Sequence, residues 1–195
     1  APFLTDERLI AEGFRRAKAA ETHTAALSTN TTFYDEVTWF MKNAEFGGGP
    51  FFNVADYAAD PSGAADSTAA IRSALVDANA AKGTVYFPSG TYIARPYDIP
   101  SQESSVLTLA VGASIYAEAG AVMKFAGDGL ASYTIADGHY AGIKLLGNNK
   151  VWGLSIDGNR DHITLTGEKI FYGFYCTDGS SGITFRDCHV YHIPS

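Results

Sequence analysis

The sequence predicts a mainly β fold: a right-handed parallel β-helix whose N-terminal rungs are closed by a capping helix, with a short helical segment ahead of it. Three observations predict it. Beyond residue 50 the chain consists of short β-rich runs split by Gly, Asn and Asp. Those runs repeat. Val85, Phe87, Gly90 and Ile93 return 22 positions later as Leu107, Leu109, Gly112 and Ile115, and Val151, Leu154 and Ile156 return 34 positions later as Phe185, Cys188 and Val190. Ahead of the repeats stands one helix with an apolar face, the kind of plug that an open solenoid end requires. A repeat of this length built from strands and turns marks a solenoid, whereas a hairpin meander has no registered repeat. A β-sandwich is the alternative architecture.

Residues 1–46 read as helical. Thr5 is an N-cap, and Leu9, Ile10, Phe14 and Ala17 recur at helical spacing. After the break at Asn30–Thr32 a second helix is predicted to Ala44, with Phe33, Val37, Phe40 and Met41 on one stripe. Two short helices carrying Phe14, Phe33, Trp39 and Phe40 cannot bury that apolar surface between themselves. They are expected to cap the following domain or to anchor the chain in a homotrimer or a larger assembly. Residues 47–50, Gly-Gly-Gly-Pro, free the backbone and then stop any helix, which makes them the linker to a β-helix over 51–195.

The capping helix is predicted from Ser67 to Ala81, with Asp66 as N-cap and Ile71, Leu75 and Ala78 facing inward. The stretch Gly83–Ala94, GTVYFPSGTYIA, then reads as one rung. The residues between Asp157 and Gly173 form an insertion loop on a later one.

Bulk properties exclude several functions. The chain has 195 residues, 46% hydrophobic and 18% charged, so it can bury a core. A net charge of −7 repels phosphate backbones, so nucleic acid is not an expected partner. No apolar run approaches the roughly 20 residues that span a bilayer. Cys176 and Cys188 make no disulfide framework or metal-ligand spacing and are expected as buried thiols. Acidic clusters such as Asp60…Asp66 lack the spacing of a calcium loop, so neither a metal nor a cofactor is expected. The start APFLTDERLI has no basic n-region or apolar h-region. Synthesis in the cytoplasm followed by assembly into a virion-type particle is expected, with secretion after loss of a leader as the alternative.

Residues Phe52–Ala94 resemble the entry of the pectate-lyase-like β-helix superfamily. The resemblance rests on Asp56-Tyr57, on Asp66-Ser67-Thr68-Ala69-Ala70-Ile71, and on Gly83-Thr84-Val85-Tyr86-Phe87-Pro88-Ser89-Gly90-Thr91-Tyr92. Ala58 stands where that superfamily usually has Gly, and Ala64-Ala65 replace more polar turn residues. Residues 151–195 are similar to the mannuronan C5-epimerase module of the same superfamily, through Leu154-Ser155-Ile156-Asp157-Gly158-Asn159-Arg160. That resemblance implies a functional Lys in the following loop, for which Lys169 is the counterpart. It also implies a downstream segment carrying the catalytic Tyr, Asp and His, which would begin where the given residues stop at Ser195. On this basis the 195 residues are expected not to process a polyuronate by themselves. The same Asp-Gly-Asn-Arg strand occurs in phage tail spikes.

Chemistry at a sugar C5 proton needs a cation for the carboxylate, a base and an acid. Arg160 and Lys169 offer the first; Tyr172, Tyr175, His189 or His192 offer the others. Tyr172, Phe174 and Tyr175 offer aromatic faces for pyranose rings, or they pack on one another. Arg160, Lys169, Tyr172 and Tyr175 are therefore the residues expected to contact polysaccharide, and no catalytic residue is assigned. Asp157, Asp161, Asp178 and Asp187 leave a paired-carboxylate hydrolase open. An N-terminal helical segment followed by a capped β-helix is arranged as in a tail spike or tail fibre: an attachment part for baseplate or tail proteins, then a shaft that engages a cell-surface polysaccharide. An epimerase or lyase is the alternative, and a structural adhesin-like module the second alternative.

Overall fold

A computed structural model describes residues 49–95, 103–104, 107–126, 138–163 and 169–194, and for residues 103–104, 138–140 and 169–170 the backbone alone. The expectations for residues 1–46 and their aromatic residues lie outside the described part.

Fourteen strands lie among the described residues, and they pair in parallel into three sheets. The first sheet runs β1 (Phe51–Asn53), β3 (Thr84–Phe87), β7 (Ser114–Ala117), β10 (Lys150–Trp152) and β13 (Thr184–Arg186). The second runs β2 (Ser62–Asp66), β4 (Gly90–Ala94), β8 (Ala121–Phe125), β11 (Ser155–Asp157) and β14 (His189–Tyr191). The third is β5 (Glu103–Ser104) and β6 (Thr108–Leu109), both paired with β9 (Gly138–Leu145), followed by β12 (Lys169–Cys176). From β3 to β12 each turn of the chain therefore visits the three sheets in order, as a right-handed parallel β-helix does. Gly83–Ala94 is one corner of a rung and not a hairpin: β3 pairs with β1 and β7, while β4 pairs with β2 and β8.

The core follows from strand alternation. Phe52, Val85, Ile115, Val151 and Phe185 form one inward column, and Tyr92, Met123, Ile156 and Val190 another. Leu109, Leu145 and Cys176 form the third. The 34-residue offset seen in the sequence is the register of the last two rungs. The 22-residue offset is not a rung. Val85 stacks on Ile115, 30 residues on, while Leu107 and Leu109 belong to another side of the same turn. All three sides bury alternating apolar residues, so the pattern alone cannot tell one side from the next. Val85, Phe87, Leu107 and Leu109 are nonetheless all fully buried. On the outside, rungs align too: Tyr86 and Tyr116 stack with centroids 5.8 Å apart, and the Arg186 guanidinium lies 4.9 Å from the Trp152 ring centroid.

The capping helix, α1 (Thr68–Ala81), buries Ile71, Ala74, Leu75 and Ala78. Its N-terminus differs from expectation. Ser67 holds the cap position and Asp66 sits one residue earlier. Asp66 still serves the helix start, accepting from the Thr68 N–H at 2.9 Å and the Thr68 hydroxyl at 2.5 Å. The Ser67 hydroxyl instead accepts from the Asp60 N–H. The other end is stitched to the third sheet by Asn79, which donates to the Thr108 carbonyl and accepts from the Ala110 N–H, both at 2.8 Å. No helix of the described residues is long and apolar enough to cross a membrane.

Candidate functional site

Strand β12 carries three of the expected glycan-contact residues, Lys169, Tyr172 and Tyr175. On a regular strand, residues i and i+3 face opposite sides of the sheet. Tyr172 and Tyr175 do not: their ring centroids are 5.5 Å apart and the rings tilt by 39°. The cause is a bend at Gly173. Phe171 points inward and is buried, its ring 6.4 Å from Phe125. Gly173 also faces inward, where a side chain would strike Val190. Phe174 faces inward as well, packed on the core with its ring 5.1 Å from Phe185. With two consecutive inward positions, the outer face passes directly from Tyr172 to Tyr175. Gly142 makes the same bend in β9, where a Cβ would lie 2.6 Å from the Gly173 carbonyl oxygen. The aromatic platform is therefore a pair: Phe174 belongs to the core.

Tyr175 is the rung partner of Lys144, which in turn pairs with Thr108. This sets a cation on the same outer column, a residue the sequence did not single out because nothing in its own surroundings marks it. Lys169 opens β12 opposite Gly138, so it lies within the strand and not in the loop before it.

Arg160 stands elsewhere. It begins a short 3-10 turn, Arg160–His162, at the corner after β11, and it is exposed. Its N–H donates to the His192 carbonyl at 2.9 Å, so the same corner of the next rung stacks directly upon it. The Asp157 carboxylate lies beneath, with its side chain only 14% exposed. One oxygen accepts from the Asn159 N–H at 2.9 Å and faces His192 Nδ1 at 3.2 Å. The other is 4.0 Å from the Lys124 ammonium. Tyr191 meets the His192 ring edge-on at 5.1 Å. Burial, and then the charge of Asp157, push the Tyr191 phenol above its ordinary value. Of these residues the sequence had offered Asp157 and His192 separately. Their pairing spans 35 positions and one full rung, which no local pattern reveals.

The four carboxylates that left a hydrolase open are spread over three corners. Asp157 ends β11 of the second sheet and Asp161 follows it, exposed Asp178 follows the third, and Asp187 follows the first, 3.5 Å from Arg186. Among the described residues no three His, Cys, Asp or Glu side chains are grouped to hold a metal ion. Cys188 is half-buried and donates to the Val151 carbonyl at 3.2 Å; Cys176 is exposed, contrary to expectation, at the end of β12. Burial raises both thiols above their ordinary value.

Three likenesses to known proteins bear on this fold. The Azotobacter vinelandii mannuronan C-5 epimerase AlgE6 A-module superposes with a TM-score of 0.53 at 26% identity, over 71% of this chain and 37% of that module. The AlgE4 A-module of the same organism gives 0.53 at 24% identity, over 74% and 39%. Alpha-1,3-galactosidase A of Peterkaempfera griseoplana is 45% identical over 53 residues, 26% of this chain and 7% of that protein. The chain thus spans about two fifths of the epimerase modules and a small part of the galactosidase. The rhamnogalacturonase A/epimerase, pectate-lyase-like family matches residues 51–153, from the first strand of the β-helix through Gly153 and so more than half of the sequence. By that match, on the capped parallel β-helix described above, the chain belongs to the rhamnogalacturonase A/epimerase family of pectate-lyase-like proteins.

Proposed function

We propose that this chain is a glycan-engaging part of a polysaccharide-acting β-helix protein. The observation that carries the reading is the outward pair Tyr172–Tyr175, two rings 5.5 Å apart on a rigid sheet face. An aromatic ring packs on the apolar face of a pyranose as it does on other flat partners, and two neighbouring rings on a preformed face bind without ordering a loop. Lys169 on the same strand and Arg160 at the neighbouring corner are the cations assigned to acidic groups of the glycan. Support comes from family membership and from relatives whose names denote action on polysaccharide or galactoside. The test is affinity electrophoresis and calorimetry with polymannuronate, polyguluronate and polygalacturonate. Tyr172→Ala and Tyr175→Ala should each weaken binding about tenfold, in the range of a lost aromatic contact. Equal affinity of wild type and double variant would overturn the reading.

In its finer form the proposal is a tail spike or tail fibre: residues 1–46 attach a trimer to a virion-type assembly and the β-helix meets a cell-surface polysaccharide. Its support is the aromatic content of residues 1–46 and the Gly-Gly-Gly-Pro break after them. Removing residues 1–46 should convert an oligomer to a monomer with the β-helix still folded. A full chain that is monomeric by light scattering at high concentration would end that part of it. The second reading, a C5-epimerase or lyase, is favoured by the epimerase A-module likeness at 26% identity. It is tested by following C5 stereochemistry by NMR and the absorbance of an unsaturated product.

A further inference from the structure

The corner shared by β11 and β14 holds a constellation that the tyrosine pair does not use. Its groups are Asp157, Tyr191 and His192, with Lys124 at its edge. The imidazole has one nitrogen committed. A carboxylate only accepts hydrogen bonds, and Asp157 is held to that role by the Asn159 N–H on one side and Lys124 on the other. The His192 Nδ1 that faces it at 3.2 Å therefore carries a proton, and in the neutral ring Nε2 is left as an acceptor. That ring stands 55% exposed on a carboxylate that is 14% exposed. The main chain that carries it is held in place. His192 is left-handed, with φ of 51°, one rung above Asn159 at 52°, and the Arg160 N–H pins its carbonyl. Tyr191 adds a ring that is 37% exposed and set edge-on to the imidazole. An acceptor, an aromatic surface and a flanking cation are the groups that a pyranose recruits: a hydroxyl to the acceptor, the apolar ring face to the phenol, a ring substituent to the cation.

We propose that this corner is a second sugar-contact site, on the second sheet instead of the third, with Tyr191 and His192 touching a pyranose and Asp157 acting as the positioning residue for the imidazole. It rests on the reading of the chain as glycan-engaging, but it concerns other residues on another sheet. The experiment uses the full chain, with oligogalacturonate as acidic probe and a galacto-oligosaccharide as neutral probe, followed by NMR and calorimetry. Tyr191→Ala and His192→Ala should each weaken binding about tenfold. His192→Gln, which keeps an acceptor, should lose less. Asp157→Asn should weaken binding and alter the ring-nitrogen shifts of His192, a change that a merely structural role would not produce. Thermal midpoints are recorded for every variant, and a loss that only tracks unfolding overturns the site. If Tyr172→Ala lowers affinity while Tyr191→Ala and His192→Ala do not, this site fails and the tyrosine-pair reading stands. If the wild type binds neither probe, both fail together.

Discussion

Gly173 and Val190 touch across one rung: a Cβ on Gly173 would lie 2.5 and 2.7 Å from the two Val190 methyl carbons. The contact leaves no room for a side chain on the inward side of β12 at this position. Gly173→Ala forces either strand to move, and overpacking of this kind typically costs about 1–3 kcal/mol. The variant should be less stable in urea and should also bind glycan more weakly, because the bend sets the Tyr172–Tyr175 spacing. The companion change Val190→Ala makes room for the new methyl. Paired with Gly173→Ala it should recover part of the stability, a coupling that a double-mutant cycle reads directly.

Asn149 is fully buried, and its side chain satisfies three backbone groups. Nδ2 donates to the Ala110 and Ala113 carbonyls at 2.7 and 2.9 Å, and Oδ1 accepts from the Gly147 N–H at 2.8 Å. Asn149→Ala leaves all three without that partner away from water. Unmet buried groups cost about 1–3 kcal/mol apiece before relaxation, so a loss of about 3 kcal/mol in urea unfolding is expected. Asn149→Asp should be no better, because a carboxylate cannot donate to the two carbonyls.

The sequence makes the fold legible where the physics is local or strictly periodic. Ile71, Leu75 and Ala78 mark the buried face of the capping helix because helical spacing alone decides it, and Ile156 over Val190 is readable because two rungs share one length. The first repeat is misread because Leu107 and Leu109 alternate just as Val85 and Phe87 do, yet lie on a different sheet. The site is legible in composition and not in arrangement. Tyr172 and Tyr175 stand out as aromatic residues, but their shared face depends on Gly173, which reads as an ordinary strand glycine until Val190 is placed against it. Phe174 looks outward by sequence neighbourhood and is inward for the same reason. Asp157 meets His192 only because the rung returns the chain above its own earlier corner.

The capping helix should be the most sensitive single element to truncation of apolar groups. Ile71 is fully buried and Leu75 nearly so, and both belong to the continuous core. Leu75→Ala should cost about 2–5 kcal/mol, the usual range for a buried Leu-to-Ala change. Exposed Val76 on the same helix is the control, since Val76→Ala removes little buried surface and should leave the urea midpoint nearly unchanged. Equal effects of the two substitutions would mean that the helix does not close the core in solution.

Acid should weaken the first rung before the rest, through Asp60. Its carboxylate accepts from the Ser62 hydroxyl at 2.6 Å and the Ser62 N–H at 2.9 Å, and from the Ala65 and Ala64 N–H groups at 2.7 and 3.1 Å. These bonds, the Ser62 hydroxyl first, hold it at about 2 against an ordinary 3.8. Asp66 shifts the same way: burial pulls it upward, but hydrogen bonds from Thr68 and from Arg95, with the Arg95 charge, outweigh burial. A carboxyl depressed in the folded state is protonated first in the unfolded chain, so its contribution is complete above the ordinary value and is lost as pH falls through the folded one. Stability measured by urea unfolding should therefore hold from neutrality to about pH 4 and decline from there toward pH 2. Asp60→Asn should lower stability at pH 7, and the gap to the wild type should close as pH approaches 2. A gap that stays constant over that range would show that the loop draws nothing from the charge of Asp60.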